Sequence, residues 1–275
     1  MTADPLTAAL DRGVPLVVLS PHLDDAVLSC GGLMAYARRR RVPVTVVSVF
    51  TEGSGPPYTL SGRRCLHLAG VGDARALYAA RRAEDRAVLS DMGVQGRQLG
   101  LPEGLFRRKP GRDGRVSRLL PERDHVYPTY RGHLVAGRIS PHDGDLLDRV
   151  TRAVTALATL DEPNDPDDRG SQAPQPLLLA PLAVGGHADH LLVREAVRRS
   201  GRPAVYYSDF PYNQRQDADP AFVRRRALCG PLVWTRNLHD KVDWILGYRT
   251  QARSLFPTGQ VPLAPEHYLY PGDLP

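Results

Sequence analysis

Short, continuous apolar runs dominate this chain, each ending in a turn and giving way to a stretch with helical periodicity. The runs are Leu16 to Leu19, "VPVTVVSVFTEG" (42–53), "LLLAPLA" (177–183) and "PAVYYSDF" (203–210), with a shorter strand and turn at "RQLGLPEG" (97–104). Helical stretches are expected at 24–40, 73–94, 140–160, 188–200 and 239–256. A strand that is apolar at every position has both faces covered. Its alternation with helices therefore predicts an α/β fold, a mostly parallel sheet flanked by helices. No internal repeat or second domain is visible, so one domain over residues 1–275 is expected. Residues 54–70 read as a loop and 161–176 as an acidic, Pro-rich surface loop, with a Pro-rich tail after 256. Residues 105–139 are basic and weakly periodic. With Gly111, Gly114, Gly132 and Gly137 they read as an inserted flap.

Composition excludes several function classes. The formal charge is +6, carried almost entirely by arginine, since Lys109 and Lys241 are the only lysines. The arginines are dispersed, with short clusters at 38–41 and 224–226, and no zinc finger, RRM or helix-turn-helix signature accompanies them. A solvated basic surface is expected, not nucleic-acid binding. No run approaches the ~20 apolar residues of a membrane span, and the N-terminus lacks a basic leader region. Cys30, Cys65 and Cys229 are widely spaced, which fits reduced thiols and a cytoplasmic protein. Cys30 reads as a small packing residue. A homo-oligomer is compatible with this composition.

Two polar clusters stand just past buried strands. "SPHLDDAVLSCGG" (20–32) puts His22 and Asp25 at spacing i, i+3 after the first strand, with Asp24 between them; "GGHADH" (185–190) puts His187 and His190 at the same spacing after the strand 177–183. In an open parallel sheet ligands bind at the carboxyl ends of the strands, so both clusters face one edge. His22, Asp25 and one histidine of the second cluster form an N, O, N ligand set. Three protein ligands plus water is the pattern of a catalytic zinc site, and the same set would suit Fe(II). Asp24 is then left beside the metal, able to take a proton from water. Gly31 and Gly32 are expected to let the helix lie close to the sheet.

"SPHLDDAVLSCGG" resembles the first motif of the PIG-L (LmbE-like) family of metal-dependent N-deacetylases, and "VGGHADHLLVREA" resembles its second. "RRAEDRAVLSDMGV", "LGLPEG", "YYSDFPYN" and "KVDWILGYRTQ" are similar to further family segments, so the resemblance covers most of the chain. It implies a Rossmann-like fold with the metal at the strand ends. It assigns metal binding to His22, Asp25 and His190, and the general base to Asp24. His187 becomes the residue that stabilises the oxyanion or protonates the leaving amine. Arg81, in preference to Arg82, matches a substrate-binding arginine, and Glu103 stands where many members carry an aspartate near the sugar hydroxyls. Leu23 replaces a frequent proline, Ala26 a frequent glutamate, and Gly185 a tyrosine that some members use to polarise the carbonyl. The implied activity is zinc-dependent removal of an N-acetyl group from an amino-sugar-containing small molecule. The competing readings are an amidase for another small-molecule amide, such as a thiol conjugate with an amino-sugar core, and a non-catalytic sugar-binding protein. The first turn lacks the GxGxxG of dinucleotide sites. Tyr127, Tyr130, Tyr206, Tyr207 and Phe210 are candidates for lining a sugar pocket, with ordinary packing an equal alternative for most of them.

Overall fold

A computed structural model describes residues 4–111, 117–157 and 175–272. Seven strands form one sheet among them: β1 (Leu16–Ser20), β2 (Val44–Glu52), β3 (Gln95–Pro102), β4 (Leu177–Pro181), β5 (Ala204–Tyr207), β6 (Leu228–Trp234) and β7 (Glu266–Pro271). Their order is β3-β2-β1-β4-β5-β7-β6. The first five are parallel, and β7 runs antiparallel to both β5 and β6. The helices are α1 (Pro5–Asp11), α2 (Asp25–Arg39), α3 (Leu60–Leu68), α4 (Ala74–Met92), α5 (Gly144–Ala156), α6 (Ala188–Ser200), α7 (Pro220–Arg225), α8 (Leu238–Ile245) and α9 (Arg249–Leu255). The expected α/β architecture is the one observed. None of these helices is long and apolar enough to cross a membrane.

The all-apolar strands behave as their composition requires. Every residue of β1 and β4 is buried. In β1, Leu16 and Val18 join a core with α1, α2, α4, α8 and α9 on one face of the sheet. Val17 and Leu19 join a second core with α5, α6 and α7 on the other. This is the period-2 alternation of a strand covered on both sides. A third cluster lies at one end, where Leu105, Phe106, Val126, Tyr127 and Leu134 meet Tyr58 and Leu66 and the start of α4. Each such buried side chain contributes on the order of 1.5–3 kcal/mol. The base of the segment 105–139 is therefore packed, although its anchors fall at irregular spacing and leave no period in the sequence.

Other differences from the sequence reading have local causes. The loop expected at 54–70 contains α3, started by Thr59, whose side chain accepts from Gly62 N at 3.0 Å. Helix α1 was unexpected, yet Asp4 caps it and Pro5 stands at its first position, the usual start signal. The single helix expected at 239–256 is two, separated at Gly247, where a Cβ would meet Val88 Cγ2 at 2.5 Å. Strand β6 was missed because Gly230 and Pro231 interrupt it, which an edge strand tolerates. Strand β7 lies inside the Pro-rich tail. Of the acidic loop at 161–176 only 175 and 176 are among the described residues, and Gly114 and residues 158–160 also lie outside them. Cys30 is buried, and all three cysteines are free.

Gly31 and Gly32 do permit close packing, but the main partner is α8 and the chain before it. A Cβ on Gly31 would lie 3.0 Å from Lys241 Cβ, and one on Gly32 would lie 2.7 Å from Arg236 O. Alanine would add helix propensity of ~1 kcal/mol, whereas overpacking against backbone costs about 1–3 kcal/mol. Gly32→Ala is expected to be net destabilising, with Tm lower by about 2 °C or more in a thermal melt. An unchanged or raised Tm would show that the segment at Arg236 yields freely.

Candidate active site

Strands β1 and β4 are neighbours where the strand order reverses, and the crevice beyond their carboxyl ends is the ligand-binding place of an open α/β sheet. After β1, Ser20 Oγ accepts from Ala26 N at 2.9 Å and satisfies a free amide in the first turn of α2. Asp25 Oδ2 accepts from His22 N at 2.7 Å. Asp24 occupies the N-cap position but its side chain makes no capping bond. Aspartate at that position ordinarily caps. Here its carboxylate is buried beside Asp25 and makes no capping bond.

After β4, Ala183, Gly185 and Gly186 all have positive φ, at 61°, 89° and 68°. A side chain at 186 would also meet Gly137 Cα at 3.1 Å, so glycine is required there. This turn delivers His187 to the N-cap of α6, where its Nδ1 accepts from Asp189 N at 3.2 Å. An accepting Nδ1 leaves the ring proton on Nε2.

Three atoms converge between the two turns. His22 Nδ1, Asp25 Oδ2 and His190 Nε2 lie 3.1, 3.3 and 3.3 Å apart. The far nitrogen of each imidazole faces a carboxylate: His22 Nε2 lies 3.2 Å from Asp189 Oδ2, and His190 Nδ1 lies 2.7 Å from Asp209 Oδ1. With those nitrogens donating, three lone-pair acceptors point at one another, an arrangement that a cation satisfies. The edge of a zinc tetrahedron with bonds of 2.0–2.1 Å is about 3.3 Å, so the residues fit such an ion as they stand. A looser group, His22, His187 and His190, has its ligand atoms within 4.8 Å. The tighter triangle is the better donor set, because His187 Nδ1 is already engaged.

Burial penalises charge throughout, and neighbours decide the outcome. Against that penalty, His190 and His22 hold the Asp25 carboxyl well below the usual range, and Asp25 in turn raises both histidines. Burial, with Asp25 adjacent, pushes Asp24 up to about 7. Burial and the nearby His22 hold His187 well below its ordinary value, so its ring is neutral.

The sequence profile described as "PIG-L: GlcNAc-PI de-N-acetylase" matches residues 17–200, which hold both turns. The chain belongs to the PIG-L family. It is 33% identical over 219 residues to a 2'-N-acetylparomamine deacetylase of Streptomyces fradiae, a match covering 78% of this chain and 62% of that relative. A protein of the same name from Niallia circulans is 25% identical over 260 residues, 86% of this chain and 81% of that one. Among solved structures, a deacetylase–teicoplanin complex from the teicoplanin biosynthesis pathway superposes with a TM-score of 0.68 at 23% identity, covering 94% of this chain and 97% of that one. The zinc-inhibited form of teicoplanin deacetylase superposes with a TM-score of 0.66 at 22% identity, covering 94% and 99%.

In this PIG-L chain the remaining candidates divide. Arg81 Nη1 lies 3.7 Å from Glu103 Oε2. Burial raises Glu103 to about 7, with Asp189 adding to the rise against the opposing charge of His22. Arg82 instead pairs with Glu52 at 2.7 Å and donates to Thr51 O. Tyr206, Tyr207 and Phe210 are core residues, Tyr207 Oη donating to Leu19 O at 2.7 Å, and Tyr127 is committed to Asp143 at 2.7 Å. Of the expected aromatic lining only Tyr130 stays accessible. Asp189 and Asp209 carry no expected role from sequence, although both stand in the motif-bearing segments. Nor does Tyr212, whose ring lies against Gly185 and 6.4 Å from the His190 ring. Their acidity and aromaticity were visible, but not the pairing of each with a histidine. His187 is expected to be neutral with its proton on Nε2 in ¹⁵N-resolved NMR near pH 7. Observation of the Nδ1–H tautomer would mean that the bond from Asp189 N does not form.

Proposed function

We propose that this PIG-L protein is a zinc-dependent hydrolase that removes an N-acetyl group from an amino-sugar-containing small molecule. The observation that carries the proposal is the 3.1–3.3 Å triangle of His22, Asp25 and His190 with the buried, non-capping carboxylate of Asp24 adjacent in sequence. The names of the two curated relatives favour an N-acetylated amino sugar in a small natural product as the substrate class. Three free cysteines suit a reducing cytoplasm.

His22, Asp25 and His190 would hold the ion. Zinc, or Fe(II) in the same donor set, supplies Lewis acidity and lowers the pKa of water. Asp24 takes a proton from the attacking water, whose oxygen bonds to the acetyl carbon. His187, neutral and with Nε2–H available, donates to the oxygen that gains negative charge, worth roughly 3 kcal/mol for a good donor. The C–N bond then breaks, and the proton taken by Asp24 passes to the departing amine, leaving acetate and the free amino sugar. Tyr212 occupies the wall beside Gly185, and its hydroxyl would be a second donor after His187. Arg81 and Glu103 would bind sugar hydroxyls. Residues 105–139 would act as the flap that sets substrate size, with Tyr130 on its inner side. A sugar-binding protein without catalysis has no use for a buried carboxylate that does not cap its helix beside a three-donor triangle, which disfavours that reading.

The tests separate metal from base. His190→Ala is expected to lose most bound zinc, measured by metal analysis after dialysis; stoichiometric zinc in that variant would remove His190 from the ligand set. Asp24→Asn should keep its zinc and lose about 10²-fold or more in kcat, followed as free amine released from an N-acetylated amino-sugar panel. Loss of zinc together with activity would mean that Asp24 and Asp25 have their roles reversed.

A further inference from the structure

Arg107 stands at the start of the segment 105–139, yet its side chain is only 4% exposed. All three guanidinium nitrogens are engaged. Nε and Nη2 donate to Pro102 O at 3.1 and 3.0 Å, Nη1 donates to Asp143 Oδ2 at 2.9 Å, and Nη2 also donates to Asp189 Oδ1. The guanidinium lies over the Phe50 ring at 4.8 Å. The other oxygen of Asp189 accepts from Gly104 N at 2.8 Å and lies 3.2 Å from His22 Nε2. A continuous polar chain thus runs from Tyr127 and Asp143 through Arg107 and Asp189 to His22.

We propose that Arg107 is a positioning residue of the metal site, acting through Asp189 on His22. The inference rests on the metal reading above. A carboxylate that orients a liganding histidine must itself be fixed, because rotation about its own axis would remove the acceptor from the imidazole. Gly104 N fixes one oxygen of Asp189 and Arg107 the other. Lysine cannot reproduce this, since its single nitrogen cannot serve Pro102, Asp143 and Asp189 together in one plane. The arrangement also ties the segment 105–139 to the metal ligand through the arginine at its base.

The test uses the full chain, stripped of metal and titrated with zinc against a chromophoric chelator, with cobalt(II) absorption as a second signal. The wild type should bind one equivalent. Arg107→Met should weaken zinc by about 10-fold, the low end of what losing a ligand's direct partner costs, because Asp189 itself remains, and should alter the cobalt bands. Arg107→Lys should recover part of that loss. Asp143→Asn loosens the same buried pair on the side away from the metal, so it should lower Tm while zinc affinity stays within about twofold of wild type. If Arg107→Met does not fold, Arg107→Lys against Asp143→Asn decides. Zinc affinity that tracks Tm across the three variants would reduce Arg107 to a structural role and overturn the proposal. So would wild-type affinity in both Arg107 variants while His190→Ala loses zinc, an outcome that leaves the metal reading standing. A wild type that binds no zinc would fail the metal reading first, and this inference with it.

Discussion

The parallel pairing of β1 with β4 is the constraint on which the site depends. Leu16, Val17 and Val18 stand opposite Leu177, Leu178 and Leu179. That register sets the ends of the two strands level, so that His22 and His190, 168 residues apart in sequence, meet at 3.3 Å. A slip of one residue would turn every side chain of a strand to the other face and separate the two turns. The apolar cores on both faces make such a slip costly, since each buried side chain of β1 and β4 would lose its layer.

Around that frame the molecule buries several charged side chains beside groups of opposite charge. Asp189, Asp209, Asp143 and Arg107 are all nearly inaccessible, and every one has a polar partner. Away from the site, Lys241 faces Glu266 at 3.4 Å, while Glu266 accepts from Gly32 N, Leu33 N and Tyr268 Oη. Buried ion pairs give little net stability, but removing one partner leaves the other uncompensated. Such groups hold geometry. In this chain the geometry they hold is that of His22 and His190 on one side and of α2 against α8 and β7 on the other.

The fold was largely legible because its signals are local. Continuous apolar runs declared the parallel strands, and Asp73 and Gly93 bracketed α4 with a cap and a left-handed stop. What was lost lay at the sheet's antiparallel edge, where Pro231 and Gly230 break the pattern of β6, and in 105–139, whose anchoring side chains are irregularly spaced. The dispersed positive charge was read as solvated, and Arg107 and Lys241 are exceptions that composition cannot reveal. The aromatic residues were ambiguous for a related reason: Tyr206 and Tyr207 lie on a buried strand, and a tyrosine's ring looks the same in sequence whether it faces a sugar or a core.

By itself the sequence determined which residue types stand past which strands: an imidazole with two carboxylates after one, two imidazoles after the other. Spacing of i, i+3 at a strand-to-helix turn is a local property, so it survives without knowledge of the rest. The tertiary structure decided which atoms of those residues converge. It placed His22 Nδ1 rather than Nε2 in the triangle, engaged His187 through Nδ1, left Asp24 without a capping bond, and supplied Asp189, Asp209 and Arg107 from elsewhere in the chain. Those choices depend on hydrogen-bond partners brought from distant segments, and a partner has no sequence signal until the fold has put it within about 3 Å.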